Sequence, residues 1–169
     1  MLHPDIHTPT LLLDESVARR NIERMCSKAE RHGLRFRPHF KTHQSRRVGE
    51  WFRDEGVRAI TVSSVRMARY FADDGWDDIT IAFPVNLREA VDIRLLAARV
   101  SLGVLVEAPL VAHRLDALLD SELRTWIKVD TGHGRTGIPA GDTESLVATA
   151  RAVAASRHLK LEGLLTHGG

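Results

Sequence analysis

The stretch RFRPHFK, residues 35–41, sets Arg35, Arg37, His39 and Lys41 at alternating positions. On an extended strand alternate side chains share a face. The basic row therefore faces one way, while Phe36, Pro38 and Phe40 face the other, onto packed helices. If the fold is a barrel, the row lines its interior. Cations inside a fold are costly unless an anion or a neighbouring acid compensates them. A lysine placed there loses proton affinity to desolvation and to like charge. Lys41 is thus a candidate nucleophile, a Schiff-base lysine able to hold a carbonyl cofactor. Judged on the strand alone, a surface lysine at a strand end is the commoner case.

The elements that must position this row repeat along the chain. Apolar, β-rich runs fall at 10–14, 34–41, 59–63, 79–84, 102–107, 125–131 and 161–167. Helical patterns lie between them. Asp14 or Ser16 can cap a helix carrying Val17, Ile22, Met25 and Ala29 on one stripe, closed by Gly33. A second helix over 45–55 carries Val48, Trp51 and Phe52, with Gly56 beyond its end. Ser64, Asn86 and Asp142 can open later helices, and Gly75 follows the end of another. Strands roughly 20–25 residues apart with one helix between them pair in parallel through crossovers.

Strand faces choose between an open doubly wound sheet and a barrel. Over 125–130, Ile127 and Val129 oppose Trp126, Lys128 and Asp130; over 59–63, Ile60 and Val62 oppose Ala59, Thr61 and Ser63. An open parallel sheet is covered on both faces and its strands read as continuous apolar runs. A polar, small face instead fits the interior of a (β/α)8 barrel that carries chemistry. The inner positions at the C-terminal strand ends, where barrel enzymes place their chemistry, are Lys41, Ser63, Glu107, Asp130 and His167. Asp130 and Glu107 are the acids expected to offset the basic row.

Composition narrows the classes. With 43% hydrophobic residues over 169 positions the chain can bury a core. Its longest apolar runs are only a few residues, which predicts neither a membrane span nor a secretory leader, and hence a cytoplasmic protein. The charge of +2 arises from 24 Lys+Arg against 22 Asp+Glu spread along the chain, which argues against a nucleic-acid footprint. The single cysteine, Cys26, shares a helix stripe with Ile22, Met25 and Ala29 and is expected in the core.

The motifs TPTLLLD, RNIERM and RPHFKTHQS, followed by AITVSSVRMA, DDITIAFPVN, IKVDTGHGRTG and LEGLLTHGG, resemble fold type III pyridoxal-phosphate enzymes. The resemblance is to the D-threonine aldolase and D-serine dehydratase group, related to alanine racemase, and rests on motif order and spacing over nearly the whole chain. It implies that Lys41 forms the internal aldimine with pyridoxal phosphate. It also implies that Arg135 hydrogen-bonds the cofactor's phenolic oxygen, for which a permanently charged planar fork is suited. His167 corresponds to the histidine that packs against the pyridine ring, and His39 is read as lying behind Lys41. Lys128 matches a lysine carbamylated in some alanine racemases, and that modification is not assigned here. His133, in the glycine-rich loop, faces either substrate or solvent. His43 is four residues from His39, but the two flank a strand end and are not expected to act as a metal pair.

By the same resemblance the fold is a (β/α)8 barrel of the alanine racemase N-terminal type, with six of eight strands in this chain. Residues 1–14 supply a strand of a second, β-rich domain, and 15–169 form the partial barrel. The expected activity is lysis of a β-hydroxy D-amino acid; an amino-acid racemase, a non-catalytic pyridoxal-phosphate binder and an inactive fragment are the alternatives. A divalent metal is expected in the intact protein on ligands beyond this chain, with none bound by the present residues. A small D-amino acid substrate and a homodimer are the expected partners.

Overall fold

Capping side chains place most of the helices. The computed structural model describes residues 5–168. In it Asp14 accepts from the Val17 N–H to open α1 (Glu15–Arg31), and Ser45 accepts from the Val48 N–H to open α2 (Arg46–Asp54). Ser64 does the same for α3 (Val65–Ala72). Asn86 caps a 3-10 turn, Leu87–Glu89, that runs into α4 (Ala90–Ala97). Helix α5 (Pro109–Asp116) starts on proline, whose missing N–H costs nothing at that position, and Asp142 caps α6 (Thr143–Ala154). Each such cap contributes about 1 kcal/mol.

Between the helices run β1 (Ala59–Val62), β2 (Asp78–Pro84), β3 (Ser101–Val106), β4 (Leu123–Asp130), the two-residue β5 (Ile138–Pro139) and β6 (Leu159–Thr166). Every ladder is parallel, in the order β1-β2-β3-β4, with β6 on the far side of β4. Strand β5 joins β4 beyond the end of β3, through Val129 and Asp130. It was not expected, because two residues carry no readable alternation. The expected strand runs at 59–63, 79–84, 102–107, 125–131 and 161–167 all appear, and the whole is an incomplete parallel α/β barrel.

The outward face of the sheet buries Ile60, Val62, Ile79, Leu102 and Val104 against Ala68, Phe71, Ile93, Leu96, Ala112, Leu115 and Val153 of the helices. The inward face is different. Thr61, Thr80 and Lys128 are buried there as polar groups. Gly103 makes room on this face for Trp126: a Cβ at 103 would lie 2.4 Å from Trp126 Cζ3.

Two expectations need correcting, for the run 34–41 and for Cys26, while the N-terminal strand assigned to a second domain has no partner among the described residues to test it. The run 34–41 is not a laddered strand. It joins the sheet through one parallel bridge, His39 to Thr61, and then tightens into a 3-10 turn over Phe40–Thr42. Pro38 has no N–H to give a ladder, and Phe40 is drawn, fully buried, into rings from Phe52, Phe71 and Trp76. Residues 10–14 form no ladder among the described residues, and Leu11 is 92% exposed. Positions 1–4 of that expected strand, and Gly169 at the end of the last motif, lie outside the described residues. Cys26 is only partly buried, because α1 buries Ile22 alone while Val17 and Met25 stay exposed.

Candidate active site

The bridge and the turn together place Lys41. Strand register sends His39 inward beside Thr61, and the Thr61 N–H donates to the Pro38 carbonyl at 2.8 Å. His39 Nδ1 then accepts from the Lys41 N–H at 3.2 Å, and the His43 N–H donates to the Phe40 carbonyl. Gln44 closes the turn with a positive φ of 47° and donates from its side-chain amide to the Lys41 carbonyl at 3.3 Å. Lys41 itself is exposed, on backbone pinned from both sides.

His39 is held neutral. Burial first, then the charges of Lys41 and His167, lower its pKa from 6.5 to about 4. An uncharged imidazole beside Lys41 adds no further positive charge to the site. His43 is separate: it packs among Phe40, Phe52 and Phe71, and burial lowers its pKa as well.

The second half of the site is the loop after β4. Asp130 accepts from the N–H groups of Gly132 and Gly134 at 3.0–3.1 Å, which lowers its carboxyl pKa. Glu107 accepts from the Gly137 N–H at 2.8 Å. Gly137 has a φ of 108°, and a Cβ there would lie 2.8 Å from the backbone of Val129 and Asp130, so only glycine fits. A hydroxyl pair, Thr131 with Thr166 at 2.8 Å, ties this loop to the end of β6. The loop sets the His133 ring 5.2 Å from the His167 ring, tilted by 36°. His167 Nδ1 is buried and has no hydrogen-bond partner among the described residues.

These contacts correct the expected neutralisation of the basic row. Asp130 and Glu107 spend their oxygens on loop N–H groups. The acid that meets the row is Asp78 at the start of β2, which pairs with Arg37 at 2.9 Å and with Arg124. Burial raises the Asp78 carboxyl, and the two guanidinium groups outweigh it, so its pKa is lowered. Arg37 also donates to the Ile60 carbonyl. Asp78 shares the inward parity of Thr80, two residues further along β2, a placement that strand alternation alone makes readable.

Lys128 is 4% exposed and donates to the Val129 carbonyl at 3.1 Å. Arg135 is exposed and lines an open groove with Glu107, Thr136 and Asp142. No contact brings it to Lys41. His39 is close enough to Lys41 and His167 for both charges to act on it, and His133, left undecided by its sequence, packs against His167. No group of three or more His, Cys, Asp or Glu side chains among the described residues is placed to hold a metal ion. No helix among them is long and apolar enough to cross a membrane.

An incomplete parallel barrel, with a lysine pinned in the turn that follows the bridge from His39 to its first strand, sets the class in which to look for relatives. The family model for the alanine racemase N-terminal domain matches residues 13–169, and the chain belongs to that family. It is 32% identical over 170 residues to the D-threo-3-hydroxyaspartate dehydratase of Delftia sp. (strain HT23), covering 97% of this chain and 44% of that protein. It is 30% identical over 171 residues to the 3-hydroxy-D-aspartate aldolase of Paracoccus denitrificans, covering 98% and 44%. The crystal structure of D-threonine aldolase from Filomicrobium marinum superposes with a TM-score of 0.88 at 26% identity, covering 95% of this chain and 44% of that one. The chain thus spans less than half the length of these relatives.

Proposed function

We propose that the intact protein carrying this chain is a pyridoxal-phosphate-dependent lyase of β-hydroxy D-amino acids, with Lys41 bonded to the cofactor's aldehyde carbon. The observation that carries this reading is the pinned Lys41 turn, with neutral His39 and the inward His167 beside it, at the C-terminal end of an alanine racemase-type barrel. Membership of that family supports pyridoxal phosphate, and relatives named as a dehydratase and an aldolase support cleavage next to Cα. The residues present fit the cofactor: an exposed amine on rigid backbone, and an imidazole whose buried Nδ1 is unpartnered among the described residues.

When bound, the cofactor's ring would accept the electrons left by a bond broken at Cα or beyond it. Lys41 would hold the cofactor through its side-chain amine. His39 keeps the Lys41 N–H engaged and stays uncharged at neutral pH. His167 would pack against the ring, and Arg135 would hold the phenolic oxygen with its permanent charge. The divalent metal that the resemblance implies is assigned to ligands outside this chain. Residues 1–14 are assigned to a β-rich second domain, 15–169 to the barrel, and the assembly to a homodimer.

The test is borohydride reduction of the intact protein loaded with pyridoxal phosphate, with peptide mapping of the adduct, beside assays on D-threo-3-hydroxyaspartate, D-threonine, D-serine and alanine. Adduct on Lys41 with cleavage of a β-hydroxy substrate is expected. A Lys41→Ala protein that retains the adduct overturns the assignment. Alanine racemisation without cleavage replaces the lyase by a racemase, and an adduct without turnover replaces it by a binding protein.

A further inference from the structure

We infer that His133 is a positioning residue for His167, clamping its imidazole from the loop after β4. The inference rests on the proposed cofactor site and adds to it a residue to which the resemblance assigns no role. A histidine ring is normally fixed in rotation by a hydrogen bond at one of its nitrogens. The buried Nδ1 of His167 has no such partner among the described residues, which leaves the ring's packing neighbours to orient it from that side. The ring against it is His133, 5.2 Å away and tilted by 36°.

The support for His133 is built rather than incidental. Asp130 holds the loop on both sides of it, through the Gly132 and Gly134 N–H groups. The Thr131–Thr166 hydroxyl pair fixes that loop to the residue preceding His167. The β4 loop and the end of β6 are therefore tied to each other directly beside the two imidazoles. Neither Asp130 nor Glu107 competes for the rings, since both carboxylates are engaged with loop backbone.

The experiment uses the intact protein with His133→Ala, His133→Phe, His167→Ala and the double alanine variant. In cofactor-free protein at pH 8, the ring-proton NMR shifts of His167 should lose the displacement caused by its neighbour in His133→Ala and keep one in His133→Phe. With pyridoxal phosphate, His133→Ala should weaken cofactor binding by about two- to tenfold, the range of one aromatic pair, and should reduce the visible circular dichroism of the bound cofactor. His133→Phe should restore both. In the His167→Ala background, His133→Ala should change nothing further, since the two act through one contact. Unchanged His167 shifts in His133→Ala, or additive losses in the double variant, overturn the clamp. A wild-type protein that forms no Lys41 adduct overturns the function proposed above instead, and the cofactor-free shifts still decide the clamp.

Discussion

The two ends of the barrel interior treat charge in opposite ways. At the N-terminal end of the strands, Arg37 and Arg124 converge on Asp78, and the cluster is a closed set of ion pairs. At the C-terminal end, Lys41, His39, His133 and His167 gather while the nearby carboxylates of Asp130 and Glu107 turn to loop N–H groups. One basic row, continuous in sequence, is thus divided into a part that holds the fold and a part left available for chemistry. Compensation of charge, rather than its presence, distinguishes the two ends.

The largest effect should come from Lys41→Ala in the intact protein. Turnover of a β-hydroxy D-amino acid should fall at least about a thousandfold, while the urea midpoint moves by less than about 0.5 kcal/mol equivalent, since Lys41 is exposed. A large stability loss would place this residue with the floor rather than the mouth. Gly103→Ala should act the other way, lowering stability by about 1–3 kcal/mol through overpacking against Trp126 and Thr80. Thermal unfolding checks it.

Asp78→Ala should cost about 2 kcal/mol, because two guanidinium groups lose their partner in a partly exposed cluster. A loss as small as that of a surface pair would erase the distinction between the two ends.

Acid unfolding separates them further. The folded pKa of His39 is about 4 against 6.5 ordinarily, so the unfolded chain binds the extra proton between those values. Stability should therefore fall as pH drops from 6.5 towards 4, by less than one full proton's linkage because His39 is only half-buried and partly screened by solvent. His39→Gln should reduce that slope in urea titrations run at successive pH values, leaving the part due to His43, whose pKa is also lowered. Asp78 has a lowered pKa, so its contribution is present above its ordinary 3.8 and is lost as pH falls below it. Asp78→Asn should flatten only that lower limb. The smallest effect belongs to the exposed Arg94–Asp120 pair, whose removal should change stability by less than about 0.5 kcal/mol.

Much of this was legible before any coordinates. The caps at Asp14, Ser45, Ser64, Asn86 and Asp142 are local signals, satisfied by N–H groups two or three residues away. Parity placed Thr61 and Lys128 on the polar face because a strand alternates strictly. The 34–41 segment misled because alternation describes a strand only while a ladder holds it, and Pro38 with the pull on Phe40 ends the ladder at one bridge. Cys26 misled because a stripe shows which face is apolar and does not say how fully a neighbour covers it.

By itself the sequence determined the helices, the five longer strands, the barrel class, the family motifs and the identity of Lys41 as the residue to watch. These depend on periodicity, capping and residue order, all written within short stretches of chain. Only the tertiary structure decided which acid neutralises which base, and which imidazole lies against His167. Asp78 is 41 residues from Arg37 and 46 from Arg124. Partners at that separation are chosen by strand register across the sheet, and register becomes definite only when the outward face is buried against its helices.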